Sequence, residues 1–423
     1  MISLISMVLF IAFIIVGVPI GAAMGLAAAL VIVVGDLPFS VIAQRIVNAL
    51  DSDSLLAVPL FIFAANLFDA SGITTHIFNF TKILVGKIRG GLGYVTILAN
   101  LIFSGISGAA LADIGGLGAV QIRMMREQGY RDEFSSGITM AAATIGPIFP
   151  PSIPLIIYAT AAEVSSIKLL IAGVVPALVI AAFLMLEVAL IARFRGLPRA
   201  ENRGENRWQV AKIAFPALLA PIILIGGLIS GLFGPTEVAA VTALYGAFLG
   251  RVVYRKLDWA NLIEAARKTV LATASVLFIV GCAAIFAWVF TIEQVPIRVS
   301  ELLLSVSANP LVLLAIVNIA LLVIGMVMES IAAILILAPI LAPALAMVGV
   351  DPIQLGVVVV LNLMIGLLTP PVGMSLYMVA VVADMPVERV LRGSLPFLIP
   401  LLLSLVVVTM VPAITTWLPN VVL

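Results

Sequence analysis

Long apolar runs fill this chain, and glycine, proline and small polar residues interrupt them more often than charge does. A run of about 20 apolar residues can cross roughly 30 Å of hydrocarbon as a helix. On that basis the pattern predicts spans over 3–19, 20–35, 55–70, 167–192, 213–233, 236–251, 270–290 and 396–418. Shorter amphipathic stretches at 38–51, 73–89, 255–268 and 294–306 read as arms, with an ordinary polar loop as the alternative for 73–89. Residues 90–126 and 309–349 are apolar but broken at their centres. Re-entrant hairpins fit both best; for 90–126 the alternative is two tilted full spans. Their tips would be Phe103–Gly108 and Gly325–Ser330.

Two further apolar segments cannot be regular helices. Residues 138–162 contain Pro147, Pro150, Pro151 and Pro154, and residues 361–383 contain Pro370-Pro371. An internal proline removes a backbone donor and clashes with the preceding turn, at a cost of roughly 3 kcal/mol or more. The residue before it is also pushed out of the helical region. Gly366 and Pro370-Pro371 follow Gly146 and Pro150-Pro151 at one common offset. Bare backbone in hydrocarbon is tolerated only inside protein or around a bound group. Paired broken helices in the two halves of a chain are the sequence pointer to a secondary-transporter site. A pair of purely structural kinks is the other reading.

Composition narrows the class. Of 423 residues, 63% are hydrophobic and only 10% charged, against about 25% charged in a soluble domain. The mean hydropathy is +1.28. No short alternating strands suggest a barrel. One cysteine, Cys282, and one histidine, His76, rule out a disulfide framework and a multi-histidine metal site. The first stretch lacks a charged leader region and reads as a retained span. A net charge of +1 gives no indication of nucleic-acid binding. Nucleophile-elbow, zincin and Walker motifs are missing, so an enzyme is not expected and energy must come from an ion gradient or another subunit. A channel would carry a more continuous polar lining.

The long hydrophilic segment 193–212 is the natural joint between halves 1–192 and 213–423. Each half then has five spans, counting its broken helix, plus one hairpin that returns to its own side. Five is odd, so the halves are inverted. Under this arrangement all of the 22 Lys and Arg except Arg45, Lys168 and Arg298 fall on one face. The positive-inside rule makes that face, including 193–212, cytoplasmic and puts both termini outside. The expected fold is an all-α polytopic membrane protein of two inverted-topology repeats.

Tips and breaks can then meet near the midplane. Helix N-termini suit a carboxylate, and unwound carbonyls and hydroxyls suit Na⁺. One ion site per half is expected. Candidate ligands are Ser104, Gly105, Ser107, Gly146, Pro147 and Pro150 in the first, and Gly325, Met328, Glu329, Gly366 and Thr369 in the second. Candidate substrate contacts are Ser107, Ser152, Ser330, Thr369, Pro371 and Gly373. Any one of these hydroxyls could instead bond back to its own helix. The embedded acids Asp113 and Glu329 are candidates for ion or proton coupling. Glu237 could simply cap the next span, Asp384 falls at the cytoplasmic edge, and His76 reads as an interfacial side chain.

The stretches FSGISGAALADIGGLG, GITMAAATIGPIFPPSIPLIIYA and LNLMIGLLTPPVGMSLY resemble the large membrane subunit of TRAP transporters, the tripartite ATP-independent periplasmic family. More distantly, the plan is similar to the ion-transporter superfamily of dicarboxylate carriers, the runner-up. The resemblance covers essentially the whole chain. It implies Na⁺-driven uptake of an organic acid, of the sialic acid or C4-dicarboxylate class, across the bacterial inner membrane. It also implies delivery by a periplasmic binding protein and a small four-helix membrane subunit, expected here as a separate chain. An elevator mechanism is implied too, with a moving part of roughly 54–162 and 270–383.

Overall fold

The structure, a computed structural model, describes residues 2–199 and 206–423. Among these residues it is helical throughout, apart from an isolated bridge between Arg89 and Arg199. The first half opens with α1 (Ile2–Ile15), α2 (Ile20–Val34), α3 (Ser40–Leu50), α4 (Asp53–Ala70) and α5 (Ile73–Val85). Next come α6 (Gly91–Ser107) and α7 (Ala110–Asp113), the latter continuing through a π-helical turn, Ile114–Gly118, into α8 (Ala119–Glu127). Then follow α9 (Asp132–Ala143), α10 (Ile153–Ala161), α11 (Ser166–Ala172) and α12 (Val174–Arg195). The second half holds α13 (Arg207–Ile229), α14 (Pro235–Phe248), α15 (Trp259–Ile292) and α16 (Val295–Val306). It continues with α17 (Pro310–Gly325), α18 (Ser330–Ala346), α19 (Pro352–Gly366), α20 (Met374–Ala383), α21 (Val387–Met410) and α22 (Ala413–Val422).

Among the described residues six helices are long and apolar enough to cross a membrane: α4, α11–α12 to Phe194, α13, α14 continued by a π-helical turn, Leu249–Val253, α15 and α21. Several boundaries differ from the sequence expectation. The arm at 255–268 and the span at 270–290 form one 34-residue helix, α15. No proline or glycine interrupts it before Gly281, so nothing stops the helix at the polar-to-apolar change. At 1.5 Å per residue it is about 51 Å long. The span expected at 396–418 starts earlier, at Val387, and stops at Met410. Val411, before Pro412, leaves the helical region (φ −119°, ψ 86°), and α22 starts afresh. The span at 167–192 is two helices meeting at Gly173, where a Cβ would fall 2.0 Å from the Ile148 carbonyl oxygen. The joint at 193–212 is shorter than expected, because α12 reaches Arg195 and α13 begins at Arg207; its residues 200–205 lie outside the described residues. The first two spans are helical over only 14 and 15 residues.

Helix starts follow local chemistry. Asn309 and Asp351 each precede a proline and cap α17 and α19, accepting from the Leu311 amide at 2.9 Å and the Ile353 amide at 2.7 Å. A cap of this kind is worth about 1 kcal/mol. Proline fits the first helical position because its missing donor would be unsatisfied there anyway. Glu237 stands in the first turn of α14 without a capping hydrogen bond, where its charge suits the helix dipole.

Chain-distant bonds gather the loops into two groups. In one, the Gly90 amide donates to the Pro198 carbonyl (3.1 Å), and Tyr130 bonds both the Leu92 amide (3.3 Å) and the Pro198 carbonyl (2.8 Å). Arg126 reaches the Ala383 carbonyl at 2.5 Å, and Arg389 pairs with Glu133 at 2.7 Å. The Arg389 guanidinium holds the Glu133 carboxyl below its ordinary range. His76 stacks on Tyr254 at 4.8 Å, and burial with the nearby Lys256 lowers its pKa. Elsewhere Thr236 donates to the Asp53 carbonyl (2.7 Å), Ser54 bonds Ser166 (2.8 Å) and Gln354 donates to the Thr409 carbonyl (2.9 Å). The Tyr130–Leu92 bond joins the two ends of the α6–α8 unit, so that unit turns back on itself at Gly108.

Candidate functional site

Four irregular segments carry the chemistry: the turn after α6, the break between α9 and α10, the turn between α17 and α18, and the break between α19 and α20. In each half the turn packs on the break. Both breaks contain a cis peptide, Pro150-Pro151 and Pro370-Pro371.

In the first half, Gly108 adopts a left-handed φ of +64°, and a Cβ there would fall 2.3 Å from the Pro151 carbonyl oxygen. Only glycine allows both the turn and this approach. The Gly108 carbonyl in turn accepts from the Ile153 amide at 3.4 Å. Ser107 donates its hydroxyl to Asp113 Oδ1. Asp113 is 1% exposed, and its Oδ2 has no hydrogen-bond partner. A Cβ on Gly146 would lie 2.5 Å from that oxygen, so Asp113 faces the start of the break. Ser152 bridges the break, donating to the Pro147 carbonyl and accepting from the Leu155 amide. Ser104 bonds back to the Asn100 carbonyl at 2.6 Å. Gly105 faces α13, where a Cβ would meet Pro221 at 2.7 Å.

In the second half, two glycines make the contact. A Cβ on Gly366 would stand 2.6 Å from the Gly325 backbone. The Gly373 amide donates to the Met326 carbonyl at 3.2 Å, tying the far side of the break to the turn. Thr369 donates to the Ile365 and Gly366 carbonyls at 2.8 and 3.0 Å. A hydroxyl that donates keeps lone pairs, so Thr369 can still present oxygen to a cation. Glu329 caps α18, accepting from the Ala332 amide at 3.1 Å and the Ser330 hydroxyl at 3.0 Å. Pro371 is exposed.

Both halves border one cavity of about 460 Å³. Ser107, Pro147, Glu329 and Ser330, all named from sequence, line it together with Asn66 of α4 and Lys268 of α15. Asn66 and Lys268 were missed. The sequence expectation puts Lys268 in a peripheral arm, yet the lack of proline or glycine from Trp259 to Val280 was the available signal. Ser375 was also missed; its hydroxyl is buried without a partner. So was Asn362, which donates to Asn318 at 2.6 Å, while Asn318 donates to Thr409 at 2.9 Å.

The donors around the breaks are hard oxygens: hydroxyls, carbonyls and one buried carboxylate. Among the described residues no group of three His, Cys, Asp or Glu side chains could hold a metal ion. Hydroxyl and carbonyl oxygens match an alkali cation better than a transition metal. The unpartnered Asp113 Oδ2 beside Gly146, and the unpartnered Ser375 hydroxyl on the segment after the second break, fit Na⁺.

Comparison with known proteins fits this geometry. The family model for the DctM component of tripartite ATP-independent periplasmic transporters matches residues 7–414. The chain is 44% identical over 408 residues to the sialic acid TRAP transporter large permease protein SiaM of Vibrio cholerae, covering 96% of this chain and 95% of that protein. It is 38% identical over 400 residues to the C4-dicarboxylate TRAP transporter large permease protein DctM of Pseudomonas aeruginosa, covering 94% and 93%. The Alcanivorax borkumensis YdaH transporter shares the fold, with a TM-score of 0.69 at 16% identity over 90% of this chain and 89% of that one. A polytopic helical chain whose broken helices and turns close on one cavity, matching this family almost end to end, belongs to the large permease component of the TRAP transporters and is not an enzyme.

Proposed function

We propose that this permease imports a small organic acid across the bacterial inner membrane, driven by Na⁺. The observation that carries the reading is a cavity bordered by both turns and both breaks. Relatives named for sialic acid and for C4-dicarboxylates support an organic acid as cargo. We further propose two inverted repeats with both termini periplasmic. The grouping of basic loops through Gly90, Tyr130, Arg126 and Arg389 supports this orientation.

In this reading each half holds one cation. In the first, Asp113 Oδ2, the Ser107 hydroxyl and carbonyls from Gly146 to Pro150 supply oxygen. In the second, Gly325, Gly366, Thr369 and Ser375 do so. When bound, Na⁺ supplies positive charge that offsets Asp113 and the cargo carboxylate. Ser107 and Ser330 then face the acid across the cavity, and Lys268 attracts its anionic group.

Transport proceeds as an elevator. Packing favours a moving body drawn differently from 54–162 with 270–383. Helix α4 runs along α14 and α15, and α15 along α2 and α3, whereas α9 runs along α21 and α21 along α12. We take the moving body as α6–α12 with α17–α22, and the scaffold as α1–α4 with α13–α15. A periplasmic binding protein delivers the acid, and a small membrane subunit accompanies the permease.

Uptake in proteoliposomes tests the whole reading, using labelled sialic acid or succinate with binding protein and small subunit. Uptake with an inward Na⁺ gradient, and little with K⁺, is expected. Equal uptake in both would remove Na⁺ coupling; equal uptake without binding protein would favour a single-component dicarboxylate carrier. Ser107→Ala and Thr369→Ala should each raise the Na⁺ concentration for half-maximal uptake by about tenfold, the size of one lost hydrogen-bonding group beside a charge. Expression should be retained, and unchanged Na⁺ dependence in both variants would count against these ligands.

A further inference from the structure

A second cavity, of about 600 Å³, lies between α3, α4, α10, α15 and α18. It shares four of these helices with the central cavity. On each, its lining residues sit toward the other end: Leu55 against Ile62 on α4, Trp288 against Val276 on α15, and Leu335 against Ile331 on α18. The two cavities therefore follow one track. The second occupies the end away from the basic loops, the periplasmic end in the orientation proposed above.

Its lining carries one cation, Arg45 of α3, and one carboxylate, Glu163. Arg45 holds its guanidinium 5.6 Å from the centre of the Trp288 ring. Among the described residues it has no carboxylate partner within ion-pair distance. Asn48 lies one helical turn on and lines the same cavity, as residues three apart share a helix face. Helix α3 buries none of its residues, so it presents Arg45 from an arm with no core of its own to hold.

We propose that this outer cavity is a loading subsite for the cargo's carboxylate, with Arg45 as its anchor, occupied before the acid reaches the central cavity. A guanidinium binds carboxylate through paired hydrogen bonds. Stacking on Trp288 holds its plane in place before the ligand arrives. Apolar walls around a single cation focus its field on an approaching anion. Glu163 belongs to the loop after α10, on the moving side, and repels the same anion. Its charge favours passage inward over retention. The proposal rests on the reading that the cargo is an organic acid.

The test is the initial rate of Na⁺-driven uptake against the concentration of acid-loaded binding protein, with the complete transporter in proteoliposomes. Arg45→Gln should raise the half-saturating concentration about tenfold, the loss of a charged anchor, with maximal rate and melting temperature unchanged. Arg45→Lys should restore part of the loss, and Glu163→Gln should lower the half-saturating concentration. Arg298→Gln, on the same face but outside the cavity, should change nothing. An Arg45→Gln variant with wild-type saturation would overturn the subsite. So would Arg45→Gln and Glu163→Gln shifting saturation in the same direction, which marks an ion-pair gate. An equal loss of binding to acid-free binding protein would assign Arg45 to protein docking and overturn it as well. If the wild-type transporter takes up neither sialic acid nor succinate, the transport reading fails and the subsite falls with it.

Discussion

Asp113→Asn should abolish Na⁺-driven uptake while leaving the permease folded. Asp113 is the buried carboxylate at the first turn, held by Ser107 on one oxygen and turned toward Gly146 with the other. Asparagine keeps the shape and still accepts from Ser107, so packing survives. What disappears is the charge. Removing one partner from a buried pair of opposite charges costs about 3–5 kcal/mol, roughly two to three and a half orders of magnitude in cation affinity at about 1.4 kcal/mol per tenfold. Two measurements check this: uptake against Na⁺ concentration, and the rise in melting temperature that Na⁺ produces. A ligand that binds only the folded state stabilises it by mass action, and that stabilisation should shrink in the variant. Wild-type Na⁺ dependence in both measurements would remove Asp113 from the ion site.

Gly366→Ala should damage the site in the second half strongly. The added carbon would stand 2.6 Å from the Gly325 backbone. No side chain is there to swing away, so the α17–α18 turn must move off the break. Overpacking of this kind costs about 1–3 kcal/mol of stability. Transport should fall further, by at least about tenfold, because the oxygens of both segments must keep their separation. Gly226→Ala is the control: nothing lies within 4 Å of its added carbon, and alanine is the better helix former by about 1 kcal/mol. Melting and uptake of the two variants, measured side by side, should diverge. Matching behaviour would mean the Gly325–Gly366 contact does not set the site.

Neither residue pair could be derived from its position in the chain. Asp113 was visible as an acid among apolar residues, but its pairing with Ser107 and its approach to Gly146 depend on how the turn at Gly108 seats on Pro151. Gly366 was visible as the counterpart of Gly146, yet its neighbour proved to be another glycine. Individual hydroxyls were legible only as candidates. Ser104, Ser152 and Thr369 all bond to main-chain carbonyls nearby, and the sequence could not separate them from Ser107, which reaches Asp113. Lys268 was misread because hydropathy places polar residues outside, whereas a 34-residue helix carries its polar end past the cavity.

The membrane class, the two broken helices, the turn at Gly108 and the family were all legible from the residues alone. These follow from local rules: apolar length, proline's missing donor and glycine's freedom act over a few residues wherever the chain goes. Which turn rests on which break, which oxygens are left without partners, and which side of α15 meets the cavity were fixed by packing alone. Those outcomes depend on contacts between residues far apart in the chain, and in a chain this apolar many pairings satisfy the same pattern until packing selects one.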